Sequence, residues 1–250
     1  MRRTALAFLA GASLALAAGN AAAEFSANLS VEHFRWAEST TPGVTETGPR
    51  VGLGLRYLQD RSSGWLFAYR GDIYGGSVHY SGAGLFTGTP IESTTDYDGF
   101  RNEVQAIHRS GRTDLILGLG LDYWERHLSN VQMETYWIYY VRAGLEYGGR
   151  ASHGWFLGGG LKFPVYTVEN AHLDAIGFDQ NPYLHPGRSM SGYAELGYRF
   201  GRRWSAEAYY DAYRFSESRP ATVTSGGATF QVFQPKSSAD SVGLRLHYHF

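Results

Sequence analysis

The last ten residues of the chain alternate strictly between apolar and polar side chains. Val242, Leu244, Leu246, Tyr248 and Phe250 share one face, whereas serine, glycine, arginine and histidine side chains occupy the other. Because successive side chains of a β-strand point to opposite sides, one face of this segment suits hydrocarbon and the other suits water. A chain made of such segments is constrained to a sheet with one apolar face.

Ten segments of this kind follow one another, most of them close to the ~9–11 residues that a tilted strand needs to cross a bilayer. They are 25–36, 50–59, 65–74, 99–109, 115–126, 136–147, 155–166, 191–200, 204–215 and 241–250. Connections after the even-numbered segments are short, and those after the odd-numbered ones are mostly long, 167–190 and 216–240 being the longest. This alternation predicts an all-β fold, a transmembrane antiparallel up-and-down β-barrel of about ten strands. Eight or twelve strands are the alternatives, if one long loop lacks or carries a hairpin.

A soluble Greek-key sandwich or lipocalin-like barrel would use the same alternation with its apolar face turned inward. Aromatic residues at the segment ends favour the membrane barrel, because aromatic girdles mark the two membrane interfaces. Trp155 belongs to the girdle predicted at the short connections, and Trp36 and Phe100 to the one at the long connections. The apolar register of the first segment slips between Val31 and Phe34, which predicts a β-bulge there.

Residues 1–23 have the organisation of a cleaved signal peptide. Arg2 and Arg3 precede an apolar run over 5–18, and the alanines at 21–23 form a small-residue cleavage pattern. An uncleaved helical anchor is the alternative, but the apolar run is shorter than the ~20 residues of a membrane-spanning helix. The rest of the chain, 24–250, is predicted to be a single barrel domain.

Composition excludes several classes of function. The leader holds two of the 22 basic side chains and none of the 23 acidic ones, so the mature chain is slightly acidic and no nucleic-acid partner is expected. The chain has no cysteine, which removes disulfides, thiolate nucleophiles and cysteine metal sites. Its mean hydropathy of −0.30 fits a barrel, whose apolar residues alternate with polar ones. We expect no cofactor and no bound metal.

The hairpin over 193–204 and the terminal Tyr248 and Phe250 are typical of small bacterial outer-membrane β-barrel proteins, which the whole chain resembles from Glu24 onward. Tyr248 and Phe250 match the C-terminal insertion signal of such proteins, although Arg245 stands where a glycine is usual. The resemblance implies an outer-membrane location in a Gram-negative cell, contact with lipid and lipopolysaccharide, and insertion by the barrel-assembly machinery. It does not choose among porin-like channels, adhesins, tethering barrels, omptin-type proteases and lipid-modifying acyl hydrolases.

The face opposite the apolar one carries many charges, and almost all its basic residues are arginines. Arginine presents a rigid fork that can bridge two carboxylates, so these side chains are predicted to form ion pairs that fill the lumen. The predicted lumen network is Arg70, Asp72, Arg101, Glu103, Asp122, Arg126, Arg142, Glu146, Lys162, Glu195, Arg199, Glu207, Asp211 and Arg245. The leading interpretation is a non-enzymatic barrel with a largely plugged lumen and long extracellular loops, serving surface interaction or limited solute passage.

An acyl hydrolase is the alternative, because its family uses a His and a Ser two residues apart on a strand. His127 and Ser129 fit that spacing, as do His79 and Ser81, and either Glu125 or Glu134 could orient His127. We expect these residues to be polar side chains at the strand rim.

Omptin-type proteolysis needs an Asp pair facing an Asp–His pair across the barrel mouth. Asp96 and Asp98 match the first pair, but no Asp stands two residues before a His. The long loops are acidic, and their carboxylates are expected to be solvated, with bridging of lipopolysaccharide by divalent cations as the alternative. They include Glu38, Glu46, Glu92, Glu134 and Glu169.

Overall fold

The computed structural model describes residues 23–60, 64–84, 88–149 and 152–250. Ten long strands of this part form the barrel: β1 (Ala23–Glu38), β2 (Val44–Asp60), β3 (Trp65–Ala83), β4 (Pro90–Ser110), β5 (Thr113–His127), β6 (Met133–Tyr147), β7 (Gly154–Asn170), β10 (Ser191–Arg199), β11 (Trp204–Ser216) and β14 (Ser237–His249). Shorter elements are the 3-10 helix η1 (Leu173–Ile176) and strands β8 (Tyr183–Leu184), β9 (Gly187–Ser189), β12 (Ala221–Ser225) and β13 (Ala228–Val232). The predicted signal peptide lies outside the described residues, apart from Ala23.

The sheet closes on itself through antiparallel pairs. Strands β1 to β7 lie side by side in chain order, and each pairs with the next. The wall then continues from β7 to β10, from β10 to β11 and from β11 to β14. The barrel is completed where β14 pairs with β1, with Leu246 opposite Leu29. In a closed barrel every strand is paired on both sides. The backbone N–H and C=O groups that cross the bilayer therefore all have hydrogen-bond partners within the sheet. The prediction of about ten strands is confirmed.

The wall of the barrel is apolar outside and its interior is polar. Outward-facing Leu119 and Leu244 are 62% and 65% exposed, whereas Asp122 and Glu103 inside are 0% and 2% exposed. A soluble sandwich or lipocalin-like barrel would have the reverse arrangement, so that alternative is wrong. No helix among the described residues is long and apolar enough to cross a membrane.

The strands run further at the long-loop end than their apolar pattern predicts. β3 and β4 stay paired as far as Ala83 and Pro90, across residues that were predicted to be loop. Beyond the hydrocarbon the outward face no longer needs apolar residues, so the alternation that marks a strand disappears while the ladder continues.

The predicted bulge in β1 is wrong, because its register with β2 and β14 is unbroken. Val31 faces outward and Phe34 inward, so the apolar side chains change faces where the strand leaves the bilayer. The register shift that does occur lies at Tyr139 and Tyr140, between β6 and β7.

Two long loops pack together into a cap over one side of the barrel mouth. The cap comprises residues 171–190 and 217–236, and its apolar centre contains Leu173, Phe178 and Val223. The backbone N–H of Asp179 donates to the carbonyl oxygen of Thr224 at 2.8 Å and ties the two loops together. The hairpin β12–β13 belongs to this cap and forms a separate sheet, so the barrel keeps ten strands.

Candidate functional site

Charged side chains from opposite walls meet at the centre of the lumen. Arg101 on β4 lies 2.8 Å from Asp122 on β5 and 3.1 Å from Asp211 on β11. Lys162 on β7 lies 2.8 Å from Asp211. The phenol of Tyr74 donates to Asp122 at 2.6 Å. Arg101 and Asp122 are on neighbouring strands, whereas the other three contacts join strands that are not neighbours in the sheet.

A second network lies beside the first, toward the short-turn end. Arg142 on β6 is 3.5 Å from Glu103 and 3.3 Å from Glu195. Arg70 on β3 is 3.4 Å from the same Glu195 and 3.3 Å from Asp72. Arg142 and Arg70 thus each bridge two carboxylates, as arginine geometry favours, and Glu195 on β10 is shared by both.

Arg245 and Glu207 pair at 2.7 Å between β14 and β11, below the second network. Beyond them the lumen widens into a vestibule of about 210 Å³ at the short-turn end. Glu146 and Arg199 line this vestibule, and Arg199 lies 3.9 Å from Glu24. The structure thus places every residue of the predicted lumen network on the inward face, while a functional role for the network stays a prediction.

Sequence reasoning missed one buried pair in the lumen. The Nε of Arg50 donates to Glu32 at 2.7 Å, and the Tyr209 hydroxyl donates to the same carboxylate at 2.6 Å. The period-two pattern could have found Arg50, since it lies on the same face as the inward glycines at 52 and 54.

The centre of the lumen has almost no free space. The cavity among Arg101, Arg142, Lys162, Glu195 and their neighbours measures about 10 Å³. A single water molecule needs roughly 10–15 Å³ on the same measure. This cavity among the charged side chains and tyrosines therefore has room for about one water molecule.

Aromatic residues form a layer across the lumen toward the long-loop end. Trp36 and Tyr136 are fully buried there, with ring centroids 5.5 Å apart. Trp36 was predicted to face the membrane interface, and that prediction is wrong because β1 turns its apolar side chains inward at this height. Phe100 and Tyr123 are in the predicted outer girdle, stacked 5.1 Å apart.

The mouth of the lumen holds four glutamates around one arginine. Arg126 is 3.2 Å from Glu38, 3.0 Å from Glu46 and 2.6 Å from Glu134. Glu169 is only 1% exposed and belongs to the same cluster. These glutamates were predicted to be solvated loop residues, which is wrong: the strands extend into the supposed loops, and the inward face continues with them.

The mouth cluster carries more negative charge than its one guanidinium balances. It lies beyond the outward-facing Trp137, so it is outside the membrane-spanning part of the strands. Burial, together with Glu38 and Glu46, raises the pKa of Glu134 to about 7 although Arg126 opposes the change. Burial and Glu134 likewise raise the pKa of Glu169. Burial and the neighbouring carboxylates therefore favour the protonated forms of Glu134 and Glu169.

The cap is connected to this cluster. The side-chain nitrogen of Gln234 lies 3.0 Å from Glu169 in the amide orientation that satisfies both groups. His172, at the start of the cap, contacts the hydroxyl of Thr135 at 3.1 Å. The packing of the cap on the barrel therefore depends on groups beside the titratable mouth.

The structure does not bring either His-x-Ser pair together as a nucleophile and base. Ser129 accepts hydrogen bonds from the backbone N–H groups of Val131 and Gln132 at 3.3 and 3.0 Å, which is a turn contact. His127 is 3.6 Å from a carboxylate oxygen of each of two acidic neighbours. In the other pair, the Ser81 hydroxyl donates to Glu92 at 2.8 Å, and His79 lies 2.6 Å from the same carboxylate.

Asp96 and Asp98 are not arranged for omptin-type proteolysis. They lie on the outward face of β4, since Tyr97 between them is buried in the lumen. His127 lies beside Asp98 on the neighbouring strand rather than across the mouth from it. The opposed pairs that such a mechanism requires are absent from these residues.

Tyr248 and Phe250 lie on the outer wall at the short-turn end. Their ring centroids are 5.1 Å apart, and Tyr248 is 4.9 Å from Trp204 on β11. Their proposed part in insertion stays a prediction.

Comparison with known proteins identifies the fold but no family. No family model and no curated protein matches the chain. The outer membrane protease OmpT from Escherichia coli aligns with a TM-score of 0.55 at 10% identity, covering 91% of this chain and 97% of that one. Neisserial surface protein A gives 0.35 at 12% identity, with 92% and 99% covered. The toluene transporter TodX of Pseudomonas putida gives 0.39 at 11% identity, with 96% and 91% covered. The alignment above 0.5 shows a shared barrel fold and carries nothing about activity.

Proposed function

We propose that this outer-membrane β-barrel is a non-enzymatic surface protein whose lumen is plugged and whose cap faces the outside of the cell. The central observation is the lumen cross-section, in which Arg101, Asp122, Lys162 and Asp211 leave a cavity of about 10 Å³. A ten-stranded barrel lies near the eight-stranded size that side chains fill, and far from the sixteen strands of an aqueous channel.

Opening a path through this network carries a large energetic cost. Removing one partner of a buried ion pair costs about 3–5 kcal/mol, because it leaves an uncompensated charge. Arg101 contacts two carboxylates and Asp211 contacts two cations, so a passing solute would have to disturb several such pairs at once. Steady solute passage is therefore disfavoured, because movement of a single side chain would not open a path through the network.

The long connections at one end of the barrel provide a surface that could take part in the proposed surface interaction. Val131 is 64% exposed and Phe233 is 42% exposed, and both lie in connections at the long-loop end, away from the apolar wall. Both side chains are exposed to water at the level of the loops, where a partner outside the membrane could contact them. Phe233 belongs to the folded cap, whose apolar centre contains Leu173, Phe178 and Val223.

Proteolysis of the kind named for the Escherichia coli barrel is not proposed for this chain. Asp98 and His127 face away from the lumen, and Ser129 is engaged by a turn. The contacts of these side chains support a structural or ligand-binding role instead.

Swelling of proteoliposomes tests the closed lumen. Vesicles containing the purified barrel are diluted into isotonic glycine or arabinose, and light scattering follows swelling. We expect the rate of protein-free vesicles. A variant carrying both Arg101→Ala and Asp211→Ala is expected to swell faster, which shows that the assay detects an opened barrel. Fast swelling by the unaltered protein would move general solute diffusion to first place.

A further inference from the structure

Three side chains with metal-binding chemistry converge on the outer wall. Asp98 on β4 and Glu125 and His127 on β5 face outward, since their neighbours Tyr97 and Arg126 are buried inside. One ligand atom from each of the three lies within 4.8 Å of the others. The three side chains are partly exposed, so an ion can reach them from solvent.

The distances are those of ligands around an ion rather than of a direct ion pair. Nε2 of His127 is 3.6 Å from Oδ1 of Asp98 and 3.6 Å from Oε2 of Glu125. A charge-assisted hydrogen bond is about 2.7–2.9 Å long. Tetrahedral coordination with bonds of about 2.0–2.1 Å separates the ligand atoms by roughly 3.3 Å. Between β3 and β4, His79 and Glu92 do form a direct pair at 2.6 Å, which His127 does not form with either of its two carboxylates.

The charges of the cluster favour a cation. Asp98 and Glu125 are directly opposite in the β4–β5 ladder, where like charges destabilise the sheet. Asp96 lies opposite His127 in the same ladder and accepts a hydrogen bond from Ser77. A divalent ion bound between the two carboxylates would remove this repulsion.

The position of the three side chains along the outer wall shows where they lie relative to the membrane. The outward face of β5 is apolar from Leu115 through Tyr123, and the next outward residue is Glu125. The rings of Phe100, Tyr123 and Trp137 lie directly below and form part of the aromatic girdle. The cluster is therefore at the level of the lipid headgroups.

We propose that Asp98, Glu125 and His127 bind a divalent transition-metal ion of the Zn²⁺ class on the outer wall at headgroup level. Two carboxylate oxygens and one imidazole nitrogen are ligands that Zn²⁺ uses in proteins, and three protein ligands leave a fourth position open. That position faces away from the barrel, where water or a phosphate oxygen completes the coordination. The site is independent of whether the lumen conducts.

Isothermal titration of Zn²⁺ into the folded barrel in detergent, in buffer free of chelators, tests the site. We expect one equivalent of Zn²⁺ to bind, with affinity reduced at least tenfold in both His127→Ala and Asp98→Asn. His79→Ala is the matched control, because it removes an outward histidine of a direct pair, and it is expected to keep the affinity. Heat-dependent mobility on a gel checks that each variant is folded.

The choice of ion and the pH provide two further readings. Mg²⁺ and Ca²⁺ are expected to compete weakly, because imidazole is a poor ligand for hard cations. Affinity for Zn²⁺ is expected to fall as the pH is lowered, because protons compete with the ion for its ligand atoms. Absence of saturable Zn²⁺ binding to the unaltered protein, equal affinity in His127→Ala, or preference for Ca²⁺ would each overturn the proposal.

Discussion

Stability of the barrel is expected to decrease as the pH rises through neutrality, and Glu134→Gln is expected to weaken this dependence. The pKa of Glu134 is about 7 in the folded barrel, against an ordinary value of 4.5. A carboxyl whose pKa is raised by folding stabilises the folded state while it is protonated. As the pH rises from the ordinary pKa of 4.5 to the folded-state pKa of about 7, this stabilisation is lost, and the loss is complete somewhat above pH 7.

The magnitude follows from the shift. A difference of about 2.5 units at about 1.36 kcal/mol per unit gives roughly 3 kcal/mol between pH 4.5 and pH 8. Glu169 acts in the same direction, since its pKa is also raised. For a protein of this size, roughly 3 kcal/mol corresponds to a fall in Tm on the order of 5–10 °C.

Thermal unfolding of the purified barrel in detergent, followed by near-UV circular dichroism at pH 5 and pH 8, measures the effect. Glu134→Gln is expected to remove about half or more of the difference in Tm between the two pH values. Glu92→Gln is the control, because Glu92 is an exposed glutamate of another hairpin, and it is expected to leave the difference unchanged. Equal pH dependence in Glu134→Gln and the unaltered protein would refute the reasoning about the mouth.

Three further perturbations have distinct expected results. Deleting Phe250 is expected to lower the yield of assembled barrel in outer membranes several-fold, while Phe230→Ala in the cap leaves it unchanged; equal yields would contradict the insertion signal. Gly160→Ala is expected to destabilise the barrel by about 1–3 kcal/mol through overpacking, because a Cβ there would lie 2.5 Å from the backbone of the adjacent strand. Gly158→Ala, with a nearest neighbour at 3.5 Å, is expected to cost less in denaturant unfolding, and equal costs would argue against this packing. Val223→Asp is expected to open the cap to limited proteolysis while heat-dependent mobility of the barrel persists; an uncut cap would show that its apolar centre is dispensable.

The membrane-spanning part of the fold could be predicted from the sequence because lipid imposes a rule on every strand. Leu115, Leu117, Leu119 and Leu121 must all face outward, and the same rule acts on the terminal strand that ends at Phe250. Turn lengths then give the strand order of an up-and-down barrel. Local sequence therefore determines the wall without knowledge of any distant contact.

The mouth could not be predicted in the same way, since neither face of a strand touches lipid there. Trp36 and Glu38 continue the inward face of β1. Their outward neighbours are not apolar, so from sequence Trp36 has the pattern of an interfacial residue and Glu38 that of a loop residue. Successive side chains still alternate between the inward and outward faces there, but the two faces no longer differ in polarity, so the sequence does not reveal the strand. The end of the strand was therefore predicted too early.

Partners across the lumen also lie beyond sequence reasoning. The pattern shows that Arg101 and Asp211 face inward, and the barrel geometry then brings β4 and β11 within 3.1 Å at these side chains. Spacing along the chain contains no information about that contact, because it depends on the tilt and stagger of all ten strands. The cluster of Asp98 with His127 is different, because it depends only on the register of β4 on β5.

Single-channel recording in a planar lipid bilayer tests the closed lumen most directly. On the proposed closed lumen, the unaltered barrel is expected to give no steady conductance, since the central cavity among the buried ion pairs measures about 10 Å³. Arg142→Ala, which removes the link between Glu103 and Glu195, is expected to produce measurable current. Large, stable, porin-like steps from the unaltered protein would contradict the account.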